Sequence, residues 1–164
     1  MSTGAKTIST KDQSKAEVER AIFELFLKAK GWPCDVSLFE SRNPPEPDIL
    51  YRSPDEKVAF ELLELCDSPL AEARSKLAIG DESASYVRPS DPTEKLVKLK
   101  LAKRYNSDFP IELLCYSNGR IGTPDDIVVH RMTAVVKYSR SVKFRRVWYF
   151  GRKSVYAIYE KLDL

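Results

Sequence analysis

Glu46-Pro47-Asp48-Ile49-Leu50-Tyr51 and Lys57-Val58-Ala59-Phe60-Glu61-Leu62-Leu63-Glu64-Leu65 are the two runs on which the fold turns. Both are short and largely apolar, and Ser53-Pro54-Asp55-Glu56 between them is a turn sequence, so they read as an antiparallel β-hairpin. Asp48 opens the first strand and Glu61 lies in the middle of the second. A strand that is apolar on both sides of a carboxylate needs a partner for it, because burying an unpaired charge is costly. The hairpin brings Asp48 and Glu61 towards the same end of the sheet. Two carboxylates and a nearby backbone carbonyl form a hard oxygen site suited to Mg²⁺ or Mn²⁺. Such an ion activates water and stabilises charge on a phosphate under attack. The competing reading puts Glu61 at a sheet edge, facing solvent or paired with an arginine.

Outward from this hairpin, the chain alternates helical and strand patterns. Residues 1–13 are small, polar and lysine-bearing, and read as a flexible tail. Ser14 and Glu17 have capping-box spacing, and Val18, Ala21, Ile22, Leu25, Phe26 and Ala29 then recur at helical spacing up to Gly31. The proline-bearing stretch Trp32 to Pro47 reads as extended or turned. Pro69 to Ile79 has moderate helix propensity, and Gly80 to Pro92 has the composition of an ordered loop or a flap. A second helix is expected from Thr93 to about Tyr105, a strand over Ile111 to Tyr116, and a third helix from Thr123 to about Tyr138. Two final strands, Phe144 to Phe150 and Ser154 to Tyr159, are joined at Gly151-Arg152-Lys153. The expected architecture is α/β: one domain over residues 14–164, a central mixed β-sheet flanked by helices in the order α-β-β-α-β-α-β-β.

Composition narrows the chemistry. The 164 residues carry 27 Lys and Arg against 24 Asp and Glu, a net charge of +3. That is too mild to signal nucleic-acid binding unless the charges are gathered. Three cysteines without CxxC spacing argue against a disulfide framework or a zinc ribbon, and a single histidine, His130, argues against multi-histidine zinc catalysis. Carboxylate and lysine chemistry is what remains. No apolar run approaches the roughly 20 residues of a membrane span, and the N-terminal stretch has no hydrophobic signal core, so a cytoplasmic protein is expected.

Pro47-Asp48 at the head of one strand, Glu61 in the next, and an acidic first helix resemble the PD-(D/E)XK nuclease superfamily, with its restriction endonuclease-like fold. There Pro-Asp is followed, after a spacer, by Asp/Glu-x-Lys, within a helix-strand-strand-strand-helix-strand order. The resemblance covers the chain from about Ser14 onward, on a short motif. It implies a metal-dependent nuclease acting on DNA, with Asp48, Glu61 and the main-chain carbonyl of Leu62 holding Mg²⁺ or Mn²⁺. An acidic residue on the first helix, here Glu19, would stand near the metal.

The resemblance breaks at Leu63, where the motif lysine belongs. Some members supply that lysine from a neighbouring helix. The second helix, Thr93-Glu-Lys-Leu-Val-Lys-Leu-Lys-Leu-Ala-Lys-Arg-Tyr105, offers Lys100 first, with Lys103 and Lys98 behind it. The alternative is that these lysines form an ordinary solvated face and that the fold is an inactive module binding nucleic acid or protein. Glu64 alternates to the other face of an ideal strand and is secondary.

The expected partner is nucleic acid, DNA first, with no membrane and a homodimer left open. Lys98 and the C-terminal basic residues Arg145, Arg146, Arg152 and Lys153 are the candidate phosphate contacts. Lys137, Arg140 and Lys143 belong to the same block, interleaved with Tyr138, Phe144, Trp148 and Tyr149. Basic residues among aromatics can track a phosphate backbone and stack on bases. They are also ordinary at strand ends. His130 reads as a helix-face residue and Cys66 and Cys115 as buried thiols.

Overall fold

The structure is a computed structural model describing residues 10–80 and 90–162. Among the described residues the elements are α1 (Thr10–Lys30), β1 (Phe39–Ser41), β2 (Ile49–Arg52), β3 (Lys57–Glu64), α2 (Ser68–Ala78), α3 (Thr93–Ala102), β4 (Ile111–Tyr116), α4 (Asp125–Lys137), β5 (Arg146–Phe150) and β6 (Val155–Glu160). The six strands make one open sheet in the order β1-β2-β3-β4-β5-β6. The outer pairs β1–β2, β2–β3 and β5–β6 are antiparallel, whereas β3–β4 and β4–β5 are parallel. The sheet is therefore mixed and flanked by helices, as the sequence leads one to expect.

Two apolar layers hold it. On one face, Phe23, Phe26 and Leu27 of α1 pack on Ile49, Tyr51, Phe60, Leu62, Leu114 and Trp148. On the other, Val97 and Leu101 of α3 and Val128, Met132 and Val135 of α4 pack on Leu63, Leu113, Cys115, Val147 and Tyr149. β3 and β4 are sandwiched between these layers, which is why both read as continuous apolar runs rather than alternating ones. Each fully buried large side chain here contributes about 1.5–3 kcal/mol through removal from water. Among the described residues no helix is long and apolar enough to cross a membrane.

Several boundaries and elements depart from the sequence reading. Helix α1 begins at Thr10 and not at Ser14, because Thr10-Lys-Asp-Gln contains no residue that stops a helix; the Ser14/Glu17 spacing therefore marks no terminus. At its other end Gly31 takes a left-handed φ of 69°, and Trp32 N–H returns to the Leu27 carbonyl at 2.9 Å.

The proline-bearing stretch contains a 3₁₀ turn, Val36–Leu38, started by the Asp35 carboxylate accepting from Ser37 N–H, and then the extra strand β1. Three residues are too few to show a period, and Phe39 is fixed by packing its ring edge-on against Phe23, with centroids 5.3 Å apart. Helix α3 stops at Ala102 and not near Tyr105. Lys103 is already extended, Asn106 N–H bonds to the Pro45 carbonyl, and the Tyr105 ring turns in against Phe144. Pro69 to Ile79 is helical as α2, its first turn capped by the Asp67 carboxylate. Most of the expected loop or flap, residues 81–89, lies outside the described residues, as do the first nine residues of the expected tail.

Candidate functional site

The β2–β3 register places the acid pair. Ile49 faces Phe60 and Leu50 faces Ala59, so the next rung sets Asp48 opposite Glu61. The ladder ends there because a side chain replaces the backbone: Leu62 N–H donates to Asp48 Oδ2 at 2.9 Å. In a strand, the N–H and C=O of one residue point to the same side. The Leu62 carbonyl therefore also faces the space beyond the start of β2. The Asp48 backbone is held in turn by Arg42 N–H, which donates to its carbonyl at 2.8 Å.

Glu61 lies on the α3 side of the sheet and is only 3% exposed. Its partner comes from α3. Lys100 sits three residues after Val97 and one before Leu101, both buried, which puts it on the flank of the packed stripe. From there its Nζ reaches Glu61 Oε1 at 2.5 Å with the side chain 21% exposed. Lys103 Nζ stands 4.0 Å from the same oxygen and over the Tyr105 ring. Leu63 belongs to the apolar layer beneath α3 and α4. Leu63 is thus spent on the core, and a lysine from α3 meets the Glu61 carboxylate.

On the α1 side, Glu19 is 8% exposed and paired with Lys15 at 3.2 Å. Glu64 faces this side too, as strand alternation requires, and pairs with Arg120. Lys15, Glu19, Leu62, Glu64, Lys100 and Arg120 line one open cleft of about 660 Å³.

The acids of this corner feel one another. Burial pushes the Glu61 carboxyl above the usual carboxylate range and the Asp48 charge adds to it, while Lys100 and Lys103 pull it back. Burial likewise raises Glu19, followed by repulsion from Asp48, against the pull of Lys15. Partial burial works against the Lys15 ammonium, but Glu19 and then Asp48 hold its pKa above the ordinary lysine value. The Tyr105 hydroxyl is buried and has no hydrogen-bond partner among the described residues. Burial and then the charge of Glu61 keep it protonated far beyond the ordinary phenol range. It is a standing donor beside the acid pair.

Among the described residues no group of three or more His, Cys, Asp or Glu side chains is gathered closely enough to hold a metal ion. The donors at this corner are Asp48, Glu61 and the Leu62 carbonyl. They are all oxygen, and the carboxylates repel one another. Such a set fits a hard cation that keeps several of its own waters, as Mg²⁺ does.

The remaining sequence candidates lie elsewhere. Lys98 pairs with Glu94 on the opposite flank of α3, at 2.6 Å. Arg145 and Arg146 are not free phosphate contacts, because both bond to Glu112, which is 1% exposed. Trp148 Nε1 donates to the other oxygen of Glu112, and Arg145 also holds Glu56. This cluster lies on the α1 face, towards the amino ends of the parallel strands. The Arg152 guanidinium donates to the Ile121 carbonyl at 2.6 Å, and its N–H bonds Asp125. Lys153 is exposed on the β5–β6 turn. His130 is exposed on α4, and all three cysteines are free thiols.

Sequence reasoning missed Lys15 and Tyr105. Lys15 had a legible signal, its i,i+4 spacing to Glu19. Tyr105 had none, since only the early end of α3 turns it inward. No family model matches this chain, and no curated protein or solved structure matches it.

Proposed function

We propose that this chain is a divalent-metal-dependent phosphodiesterase that hydrolyses DNA, as its resemblance to the PD-(D/E)XK nucleases implies. The observation that carries the reading is the Lys100 ammonium 2.5 Å from Glu61. It supplies from α3 the cation that Leu63 denies the strand. The order α1-β1-β2-β3-α2-α3-β4 supports it further, because apart from the added helix α2 it is the order the resemblance implies. Asp48, Glu61 and the Leu62 carbonyl would hold Mg²⁺ or Mn²⁺. When bound there, the ion supplies positive charge to a phosphate under attack and makes water a better nucleophile.

Within this reading the chain's own groups have distinct tasks. Lys100, fixed by Glu61 through one of its three donors, has the others to orient a water and offset phosphate charge. Lys103 adds a second, more exposed cation at the rim. Tyr105 offers a neutral hydroxyl donor where acids crowd. Glu19 and Lys15 wall the cleft from the α1 side.

A second reading, an inactive nuclease-like module, draws on a specific observation too. Lys100 is already engaged by Glu61, and no group of three metal-ligating side chains occurs among the described residues. Incubation with supercoiled, linear and single-stranded DNA in Mg²⁺ or Mn²⁺ separates the two. The proposal expects cleavage that Asp48→Ala and Glu61→Ala each abolish. Cleavage surviving both substitutions overturns it, and so does a wild-type chain that neither cleaves nor binds Mn²⁺ in calorimetry.

A further inference from the structure

A groove of about 810 Å³, larger than the cleft beside the acid pair, runs between α3 and α4. Its walls carry Lys98, His130, Arg131, Arg140 and Lys143, with Glu94 the one carboxylate among them. Lys98 is matched by Glu94, and Arg131 by Asp91. Arg140 and Lys143 are exposed and have no carboxylate within ion-pair distance among the described residues. Tyr138, just past the end of α4, also borders the groove and is 81% exposed.

The structure thus divides the basic C-terminal block in two. Arg145, Arg146 and Arg152 are spent on internal bonds to Glu112, Glu160 and the Ile121 carbonyl. Arg140 and Lys143, beside an exposed tyrosine, remain turned towards solvent, as do Lys153 and Lys137, whose Nζ lies 5.8 Å from the Tyr138 ring centroid. We propose that the α3–α4 groove binds single-stranded nucleic acid, with Arg140 and Lys143 on phosphates and Tyr138 stacked on an unpaired base.

Charge and shape both favour this occupant. Glu94 and Asp91 neutralise Lys98 and Arg131, so the excess charge is that of Arg140 and Lys143, and it attracts a polyanion. With about 810 Å³ of open space, the groove has room for a short stretch of one sugar–phosphate strand. An exposed aromatic ring is useful to a strand with unpaired bases, whereas a duplex keeps its base faces stacked internally. The groove owes nothing to the acid pair. Lys98 and Lys100 are two residues apart, about 200° around α3, so the groove and the candidate active site occupy opposite flanks of that helix.

Fluorescence anisotropy in EDTA, where no metal-dependent hydrolysis occurs, tests the groove apart from catalysis. The probes are a labelled single-stranded oligonucleotide and the duplex of the same sequence. The single strand is expected to bind more tightly. Arg140→Glu with Lys143→Glu should weaken it at least tenfold and flatten the log–log salt dependence by about 1.4, roughly 0.7 for each of two phosphate contacts. Tyr138→Ala should cost about fivefold or more on the single strand and leave the duplex unchanged. Lys76→Glu, at an exposed lysine of α2 that does not line the groove, should stay within about twofold of wild type.

Absence of single-strand binding, equal or tighter duplex binding, or wild-type affinity in the Arg140/Lys143 or Tyr138 variants overturns the proposal. Loss of cleavage with this binding intact would count against the phosphodiesterase reading alone.

Discussion

Replacing Lys100 by methionine keeps the aliphatic stem and removes the ammonium that meets Glu61. The structure sets the size of the effect. Breaking a buried ion pair by deleting one partner costs about 3–5 kcal/mol. Lys100 is partly exposed and Lys103 remains 4.0 Å from the same oxygen. We therefore expect a loss of about 2 kcal/mol at pH 8, in the range of a hydrogen bond to a charged group. For a chain of this length that is roughly 4–8 °C in Tm.

The pH dependence follows from Glu61. Its folded pKa already lies above the ordinary value of 4.5, raised by burial and Asp48, and Lys100 is the main force opposing that rise. Without Lys100 it climbs further. The penalty of the variant is therefore largest at alkaline pH and fades as pH falls through the folded pKa, below which Glu61 is protonated with or without Lys100. Urea titrations at pH 4 and pH 8, with a double-mutant cycle through Glu61→Gln, measure both the size and the coupling, expected at about 1–3 kcal/mol. Equal penalties at the two pH values, or a coupling indistinguishable from zero, would refute the assigned pairing.

Glu19→Gln tests the α1 side. The folded pKa of Glu19 is raised, so its contribution to stability is present below its ordinary pKa and is lost as pH rises through the folded value. The glutamine variant should be the more stable at pH 8 and lose that advantage near pH 4, read from urea midpoints; a variant less stable at pH 8 contradicts the assignment. At Gly151 an added Cβ would lie 2.5 Å from Asp125 Oδ2, a carboxylate pinned by Tyr149 Oη and Arg152 N–H. Gly151→Ala should cost about 1–3 kcal/mol in chemical denaturation, with part regained in Gly151→Ala/Asp125→Ala; no recovery would place the strain elsewhere. Arg145→Ala should lower stability by about 2–3 kcal/mol, because it leaves Glu112 buried with fewer partners. Oligonucleotide affinity should stay unchanged, and a fall in affinity with stability intact would restore Arg145 as a phosphate contact.

The hairpin was legible because Asp48-Ile-Leu-Tyr-Arg and Lys57–Glu64 are apolar runs around an unambiguous turn, and register follows once that turn is fixed. Glu61 stood out for the same reason, as a carboxylate with no local excuse. Lys100 could be shortlisted but not separated from Lys98 and Lys103 by pattern, since the sequence reads as one short helix through all three, with lysines around an apolar stripe. Strand β1 was illegible: Phe39 becomes a strand residue only by pairing with Tyr51 and packing on Phe23.

From its sequence alone, this protein is an α/β chain with a mixed sheet and a buried-carboxylate anomaly at Glu61. Those properties rest on period, turn chemistry and the cost of burying charge, which act within a few residues. Tertiary structure decided which lysine answers Glu61, because the flank of α3 that faces β3 is chosen by Val97 and Leu101 entering the core. It also decided which basic residues are available. Glu112 is a single acidic position in an apolar strand, and only the parallel pairing of β4 with β5 sets Arg146 beside it, with Arg145 and the Trp148 indole bonding to the same carboxylate. Charge counts along a chain do not record such pairings; they arise between segments more than thirty residues apart.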